Sequence, residues 1–253
     1  MVVRIGNTAL KIQVPLRREE ERQSHPFRPE RRARPRRRRR LYRTTRRIVD
    51  IVISALALAV FGLMLPFIAL AIKLDSPGPV FYRQWRVGMN RRRRRNGYDG
   101  PERRRVVQPG APIRLLKLRT MRVDAERDGP RLASDNDDRI TRVGRFLRVT
   151  RLDEVPQFWN VLKGEMSLIG PRPERLVFVN QYDRLIPGYT TRLQTMPGIT
   201  GLAQVRNGYD EDLESVRRKV QLDRLYIRRA GWRLDLKILL ETIRVVLTGE
   251  GAR

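Results

Sequence analysis

Residues 150–173 read TRLDEVPQFWNVLKGEMSLIGPRP, with two adjacent acids near one end and an arginine between two prolines at the other. Pro156 has no backbone N–H, so it is tolerated in the first turn of a helix but not in its interior. The stretch therefore predicts a helix that starts at Asp153 or Glu154. A carboxylate at this place caps free N–H groups at the positive end of the helix dipole, where phosphate oxygens and their metal ions also gather.

The turn at residues 170–173, GPRP, predicts an arginine held on a stiff backbone. The planar fork of the Arg172 guanidinium suits a phosphate group. The simpler alternative is that Asp153 is only a cap and Glu154 only a first-turn acid. The acid pair together with a fixed arginine favours phosphate chemistry.

Composition narrows the chemistry. The 253 residues include no cysteine and one histidine, His25, which lies in an Arg- and Pro-rich segment. Disulfides, thiolate zinc sites, Ser-His-Asp triads and histidine bases are therefore excluded. Carboxylates, lysine, arginine, hydroxyls and a hard ion such as Mg²⁺ remain. The formal charge of +28 predicts a polyanionic partner, such as nucleic acid, an anionic membrane face or a nucleotide.

The chain divides by composition into three parts. Residues 1–45 are arginine-rich and predict a mostly disordered basic tail. Residues 46–75 hold a membrane segment, and residues 76–253 a single catalytic domain. Within that domain, residues 88–112 are rich in arginine, glycine and proline and predict a flexible basic insertion.

The segment from Ile51 to Ile72 contains no charged residue. As a helix it is about 33 Å long, enough to cross a hydrocarbon core of roughly 30 Å. Arginine and lysine flank both ends, so the positive-inside rule assigns both ends to the cytoplasmic side. Pro66 interrupts the helix about two-thirds along. These observations predict a helix that enters the membrane, bends and returns to the same face, while a true span stays open.

The remaining elements follow from periodicity. Residues 80–85 and 113–119 predict two strands of a hairpin, with Lys117 and Arg119 on one face. Helices are predicted at about 140–148, 210–229 and 232–248. The last has an apolar face that either lies on the membrane surface or packs on the core; it is formed by Leu236, Leu239, Leu240, Ile243 and Leu247. The Pro197-Gly198 turn offers backbone N–H groups to a ligand.

Three motifs together resemble the bacterial sugar transferase family, the monotopic polyprenyl-phosphate phosphoglycosyl transferases. They are RITRVGRFLR (139–148), LDEVPQFWNVLKGEMSLIGPRP (152–173) and MPGITGLAQV (196–205). The resemblance extends from about residue 46 to residue 253. It implies a mainly helical α+β fold, in which a membrane re-entrant helix precedes a small helical catalytic domain with a β-hairpin and amphipathic interface helices. The chain departs from the family pattern at Leu65, Asp138 and Arg151, where Ser, Pro and Ser are usual.

The resemblance implies transfer of a sugar 1-phosphate from a UDP-sugar to undecaprenyl phosphate, with release of UMP, at the cytoplasmic face of the bacterial inner membrane. The sugar is expected to be glucose or galactose. Asp153 is implied as the nucleophile that forms an aspartyl-phosphosugar intermediate. Glu154 is implied as its partner, either binding Mg²⁺ with Asp153 or moving a proton. Phosphate binding is implied for Arg172 with Pro171 and Pro173. It is also implied for Lys117 and Arg119, because KLRTM (117–121) matches a further motif of the family; the alternative for these two is a solvated basic face.

Two other classes of function fit parts of the sequence. The arginine runs suit a membrane-tethered nucleic-acid-binding protein, but no stacking aromatics are interleaved with them, which argues against nucleic acid as a partner. A non-catalytic scaffold for a polysaccharide machine would require the acid pair to be dispensable. The lipid bilayer is an expected partner in any case, and homo-oligomerisation stays open.

Overall fold

The computed structural model describes residues 2–5, 8–11, 36–90, 109–127, 129, 137–207 and 212–248. Its helices are α1 (Arg36–Asp75), α2 (Arg142–Val149), α3 (Gln157–Leu162), α4 (Leu176–Leu185), α5 (Leu202–Arg206), α6 (Leu213–Arg229) and α7 (Trp232–Thr248). Its strands are β1 (Val2–Ile5), β2 (Thr8–Lys11), β3 (Phe81–Val87), β4 (Pro112–Leu118), β5 (Ser167–Ile169) and β6 (Gly198–Thr200). The described chain is therefore mostly helical, with small two-stranded sheets, as the sequence predicts.

Helix α1 is long and apolar enough, by length and composition, to cross a membrane. It begins at Arg36, ten residues before the predicted boundary at 46, and residues 2–5 and 8–11 pair as an antiparallel hairpin. These parts of the predicted disordered tail therefore have regular structure. Arginine has a good helix propensity, and the apolar helix that follows provides the nucleus from which Arg36–Thr45 extend.

Both ends of α1 contact the same domain. Near its start, Arg47 donates to the carbonyl oxygens of Val161 at 2.6 Å and Leu162 at 2.8 Å. Near its end, the Asp75 carboxylate accepts a hydrogen bond from the Val143 backbone N–H at 2.9 Å. Pro66 lies inside the helix, which continues through it, so the helix is not interrupted at Pro66 as predicted. The buried positions Asp50, Ser54, Phe61 and Ile72 define one face along α1.

Strands β3 and β4 form the predicted antiparallel hairpin, with Phe81 opposite Leu118 and Val87 opposite Pro112. At the end where the connecting loop begins, Gly88 N–H donates to the Ala111 carbonyl oxygen at 2.7 Å. The predicted flexible insertion falls mainly on residues 91–108, which lie outside the described residues. One face of β4 packs Ile113 and Leu115 against α3, and the other packs Leu118 against α1 and α2.

Strands β5 and β6 pair in parallel. Beside them, the backbone around Gly170 lies in close contact with the backbone around Gly198 and Gly201. A β-carbon at Gly198 would clash with the backbone nitrogen of Gly170, and one at Gly201 with the Gly170 carbonyl oxygen. Only glycine permits this approach. The Gly198 N–H donates to the Pro171 carbonyl oxygen at 3.0 Å, so it supports the Pro-Arg-Pro turn. The prediction that this turn presents its N–H groups to a ligand is therefore wrong for Gly198.

Helix α7 has the predicted bounds, but most of its apolar face does not pack on the core. Leu239 packs on the cluster around Tyr226 and Ile238, whereas Leu236, Leu240, Ile243 and Leu247 are 55–81% exposed. Core packing, one of the two alternatives for this face, is therefore excluded for these four residues.

Candidate active site

The acid pair lies in a 3₁₀ turn, Leu152–Glu154, between α2 and α3. The α-helix itself begins at Gln157, later than predicted, with Pro156 as its N-cap residue. Arg151, just before the turn, has a φ of 59°, a left-handed conformation that is uncommon outside glycine. The turn places Asp153 inward, with 6% of its surface exposed.

Glu154 is held between two cations. Lys117 Nζ on β4 lies 2.7 Å from Glu154 Oε1, and Arg172 Nη1 lies 3.2 Å from Oε2. Arg172 Nη2 also donates to Oε1. The structure thus brings together four of the predicted site residues, because Asp153 Oδ2 lies 3.9 Å from the same Lys117 Nζ.

The two carboxylates have opposite pKa shifts. Burial raises the pKa of Asp153, and the negative charge of Glu154 adds to this, although Lys117 opposes it. Burial also disfavours ionised Glu154, but Arg172 and Lys117 outweigh burial and hold the pKa of Glu154 well below its usual range. Glu154 is therefore a fixed anion, while Asp153 is a buried carboxylate whose charge is less fully compensated.

Pro171 and Pro173 frame Arg172 and line a cleft beside the turn. The cleft is bordered by residues from β3, the Pro-Arg-Pro turn and the loop before β6; they are Val87, Gly88, Pro171, Arg172, Pro173, Arg192, Leu193, Thr195 and Pro197. Arg172 thus contacts Glu154 and also lines this cleft. This arrangement suits a guanidinium that contacts a phosphate group.

Arg119, predicted to bind phosphate beside Lys117, lies elsewhere. Its guanidinium donates to the carbonyl oxygens of Ser76 at 2.7 Å and Ile72 at 3.4 Å, and also to that of Pro77. These groups lie at the C-terminal end of α1. Strand β4 ends at Leu118, so strand alternation no longer sets the direction of the next side chain. Pro66 also lies outside the acid cluster, in the middle of α1.

One candidate that the sequence analysis missed is Arg148, in the last turn of α2. Its charge lowers the pKa of Asp153, which opposes the effect of burial. The Nη1 atom of Arg148 is buried and makes no hydrogen bond within the part of the chain that the structure describes. The signal in the sequence was its position in RITRVGRFLR, five residues before Asp153.

Mg²⁺ in proteins commonly binds one or two carboxylates together with phosphate oxygens of the substrate. The adjacent carboxylates of Asp153 and Glu154 fit this pattern. Both oxygens of Glu154 already contact cations, so Asp153 offers the less engaged oxygens. Within residues 36–90, 109–127, 137–207 and 212–248, no group of three or more His, Cys, Asp or Glu side chains is arranged to hold a metal by itself.

Comparison of the sequence with known proteins identifies its family. The profile of the bacterial sugar transferase family matches residues 41–96 and 100–249. A UDP-N-acetylgalactosamine-undecaprenyl-phosphate N-acetylgalactosaminephosphotransferase of Aeromonas hydrophila is 43% identical over 213 residues, 84% of this chain and 46% of that protein. A UDP-glucose:undecaprenyl-phosphate glucose-1-phosphate transferase of Caulobacter vibrioides is 43% identical over 211 residues, 82% of this chain and 71% of that protein.

Relatives of different lengths share this region. The exopolysaccharide production protein PSS of Rhizobium leguminosarum is 37% identical over 213 residues, which are 81% of this chain and 97% of that protein. The chain spans less than half the length of the Aeromonas relative but nearly all of the Rhizobium one. The matched region contains α1 from Leu41 onward, the acid pair, Lys117 and the Pro-Arg-Pro turn. On these grounds the chain belongs to the bacterial sugar transferase family.

Proposed function

We propose that this protein transfers a sugar 1-phosphate from a UDP-sugar to undecaprenyl phosphate and releases UMP, a reaction that would initiate synthesis of a polysaccharide or glycoconjugate. The observation that carries the proposal is a buried carboxylate, Asp153, beside a carboxylate that Lys117 and Arg172 hold ionised. Family membership and the names of the relatives support the substrate classes. The relatives differ in sugar, so glucose, galactose and N-acetylgalactosamine are all candidates.

In the first half-reaction, an Asp153 oxygen attacks the β-phosphorus of the UDP-sugar. A bond forms between that oxygen and phosphorus, and the bond from the β-phosphorus to the bridging oxygen breaks. UMP leaves with the bridging oxygen and its electron pair, and the sugar phosphate stays on Asp153. Covalent catalysis of this kind divides one displacement into two.

In the second half-reaction, a phosphate oxygen of undecaprenyl phosphate attacks the same phosphorus. The bond between phosphorus and the Asp153 oxygen breaks, so the carboxylate returns to its starting state. The product is the undecaprenyl diphosphate sugar. The two displacements use one nucleophile and predict ping-pong kinetics.

The charged residues around Asp153 lower the repulsion between an anionic nucleophile and an anionic donor. Lys117 and Arg172 are the cations nearest the acid pair and would contact phosphate oxygens. Glu154 would keep both cations oriented, since it contacts each of them. Mg²⁺, held by Asp153 and Glu154 with diphosphate oxygens, would supply further charge neutralisation when bound.

The contacts of α1 support a site at the membrane surface. A domain on one side of a bilayer cannot contact both ends of a helix that crosses about 30 Å of hydrocarbon. Here the same domain binds Arg47, just before the apolar segment 51–72, and Asp75, just after it. This supports a re-entrant α1. The arginine and lysine residues on both flanks of the apolar segment favour the cytoplasmic face of the inner membrane. The exposed apolar face of α7 favours an interface helix.

The test is UMP release by the purified, detergent-solubilised full chain with Mg²⁺ and undecaprenyl phosphate, using UDP-glucose, UDP-galactose and UDP-N-acetylgalactosamine. We expect release from one donor, and loss of at least a thousandfold in Asp153→Asn. The matched control is Asp235→Asn, which removes a carboxylate that is equally buried but hydrogen-bonded to Tyr42 and Tyr226. Full activity of Asp153→Asn would refute the mechanism. If folded wild-type protein released no UMP from any of the donors, a non-catalytic scaffold would be favoured.

A further inference from the structure

Arg192 lies beneath the Pro-Arg-Pro turn and is 3% exposed. Its Nη2 donates to the backbone carbonyl oxygen of Arg172 at 2.9 Å. Its Nε donates to Asp223 on α6 at 2.9 Å, and its Nη1 to the Tyr189 hydroxyl at 2.8 Å. The guanidinium therefore connects α6 to the backbone of the residue that holds Glu154.

Glu174, directly after the turn, is the second part of this arrangement. Its carboxylate lies 2.6 Å from Lys219 Nζ, 3.3 Å from Arg86 Nη1 and 3.8 Å from Arg192 Nη1. Burial disfavours ionised Glu174, but these three cations outweigh burial and lower the pKa of Glu174 to about 2. Arg86 also donates to the Pro173 carbonyl oxygen at 3.4 Å. Two arginines, Arg86 and Arg192, thus each bridge the Glu174 carboxylate and a carbonyl group of the turn.

With two further bonds from backbone N–H groups, the four consecutive carbonyl groups of residues 171–174 all accept hydrogen bonds. The Pro171 oxygen accepts from Gly198 N–H at 3.0 Å and the Glu174 oxygen from Val87 N–H at 2.8 Å. The oxygens of Arg172 and Pro173 accept from the two arginines. A turn held at every peptide unit keeps its side chain in one place, and such preorganisation lowers the cost of ordering the site during a reaction.

Burial of these charged side chains costs desolvation free energy. The proposed reaction uses none of them directly. Arg86, Arg192 and Lys219 face Glu174 and Asp223, so one positive charge is in excess below the turn. Well-packed apolar residues stabilise a fold as well as buried ion pairs do, or better. Stability alone is therefore a weak explanation for this cluster.

We infer that Arg192 is a positioning residue that acts through Arg172: it fixes the backbone of Arg172 and thereby the guanidinium that meets Glu154. The expected effect of Arg192 on the reaction with the UDP-sugar rests on the proposed function. The expected effect of Arg192 on the rigidity of the Pro-Arg-Pro turn does not rest on it. The two effects are therefore measured in separate experiments.

The first test is a double-mutant cycle on UMP release. Arg192→Lys keeps the positive charge but loses the planar fork that reaches three partners. We expect a loss of roughly 10²-fold in kcat/KM, the size of effect that a displacement of about 1 Å produces. In an Arg172→Ala background, Arg192→Lys should cause no further loss, because Arg192 acts through the side chain already removed. Independent, multiplying losses would show a general structural role and overturn the inference.

The second test needs no activity. Hydrogen exchange is measured on the segment 168–176 of the full chain in detergent. We expect faster exchange in Arg192→Lys and unchanged exchange in Asp235→Asn, the control for loss of a buried charged hydrogen bond. Unchanged exchange in Arg192→Lys would overturn the inference. Wild type that is inactive with every donor, yet shows this difference in exchange, would refute the proposed function and leave the positioning of the turn supported.

Discussion

Arg172 and Glu154 form a two-point ion pair across 18 positions of sequence, with Nη1 3.2 Å from Oε2 and Nη2 in contact with Oε1. The pair joins the Pro-Arg-Pro turn to the 3₁₀ turn that carries the acids. Because Glu154 takes both contacts from Arg172 and a third from Lys117, the neighbouring Asp153 keeps the less compensated charge. Two adjacent acids in the sequence thereby acquire unequal roles.

Arg172→Lys should lower kcat/KM for UMP release roughly 10- to 100-fold, because a single ammonium cannot make both contacts with Glu154. This range corresponds to about 1.5–3 kcal/mol for a hydrogen bond to a charged group. Arg175→Lys is the matched control. Arg175 makes the same kind of two-point contact, with Glu126 at 2.6 and 3.0 Å, three residues further along. An equal loss in both variants would contradict a specific role for Arg172.

The pH dependence of the reaction should report Asp153. Because burial raises its pKa above the ordinary 3.8, Asp153 is protonated at a higher pH than an exposed aspartate, and kcat/KM should fall tenfold per pH unit below that pKa. Glu154 stays ionised there, since its pKa is held low. Lys117→Met removes a cation that lowers the pKa of Asp153, so the acid limb should move to higher pH. Lys163→Met, which breaks an exposed pair with Glu165, should not move it. A shift to lower pH in Lys117→Met would be incompatible with this assignment.

Arg119→Gln should destabilise the fold without weakening donor binding. The guanidinium contacts three backbone carbonyl oxygens at the end of α1, and unsatisfied buried groups cost about 1–3 kcal/mol each. The measurements are the melting temperature in detergent and KM for the UDP-sugar, compared with Lys117→Met, which should raise KM. An equally high KM in Arg119→Gln and in Lys117→Met would show that Arg119 contributes to binding of the UDP-sugar.

The topology of α1 can be read with single cysteines, since the natural chain has none. Leu41 and Leu74 flank the apolar segment and are 63% and 79% exposed. In inverted vesicles, Leu41→Cys and Leu74→Cys should both react with a membrane-impermeant maleimide if α1 re-enters. Val60 is not covered by other residues of the protein, but it lies in the apolar segment. Val60→Cys should therefore react slowly, because lipid shields it from the maleimide. Labelling of one flank alone would establish a span.

The exposed apolar face of α7 should be shielded by lipid. Leu240 and Val177 are similarly exposed, at 60% and 55%, on different helices. In the same vesicles, Leu240→Cys should react at least tenfold more slowly than Val177→Cys, because the cost of exposing a leucine to water, about 1.5–3 kcal/mol, keeps it in the bilayer. Equal rates would place α7 in water.

Much of the fold follows from local sequence rules. The bounds of α7 and the pairing of β3 with β4 follow from hydrophobic periodicity and from turn residues. The existence of the long helix follows from its uncharged run, but its start at Arg36 does not. The start of α3 was placed too early, because Pro156 permits either a 3₁₀ turn or the first turn of a helix before it. The residues of the family motifs identified the acid pair, Lys117 and Arg172.

Side-chain direction and long-range pairing were not predictable in the same way. Lys117 and Arg119 are two residues apart, but β4 ends between them, and their side chains reach different parts of the molecule. Arg192 and Asp223 are 31 residues apart, and periodicity does not indicate which buried charge each of them meets. Such contacts depend on the tertiary packing of α6 beneath the turn.

The Arg119 contacts have a consequence for the coupling of the site to the membrane helix. Lys117 meets the acids, and Arg119 holds the end of α1, so about 7 Å of extended backbone separates the two attachments. No flexible tether lies between them. The acid pair and the end of α1 are therefore coupled through two residues of one strand, so a displacement of the membrane helix at Ser76 would be transmitted to Lys117 and the carboxylates that it contacts.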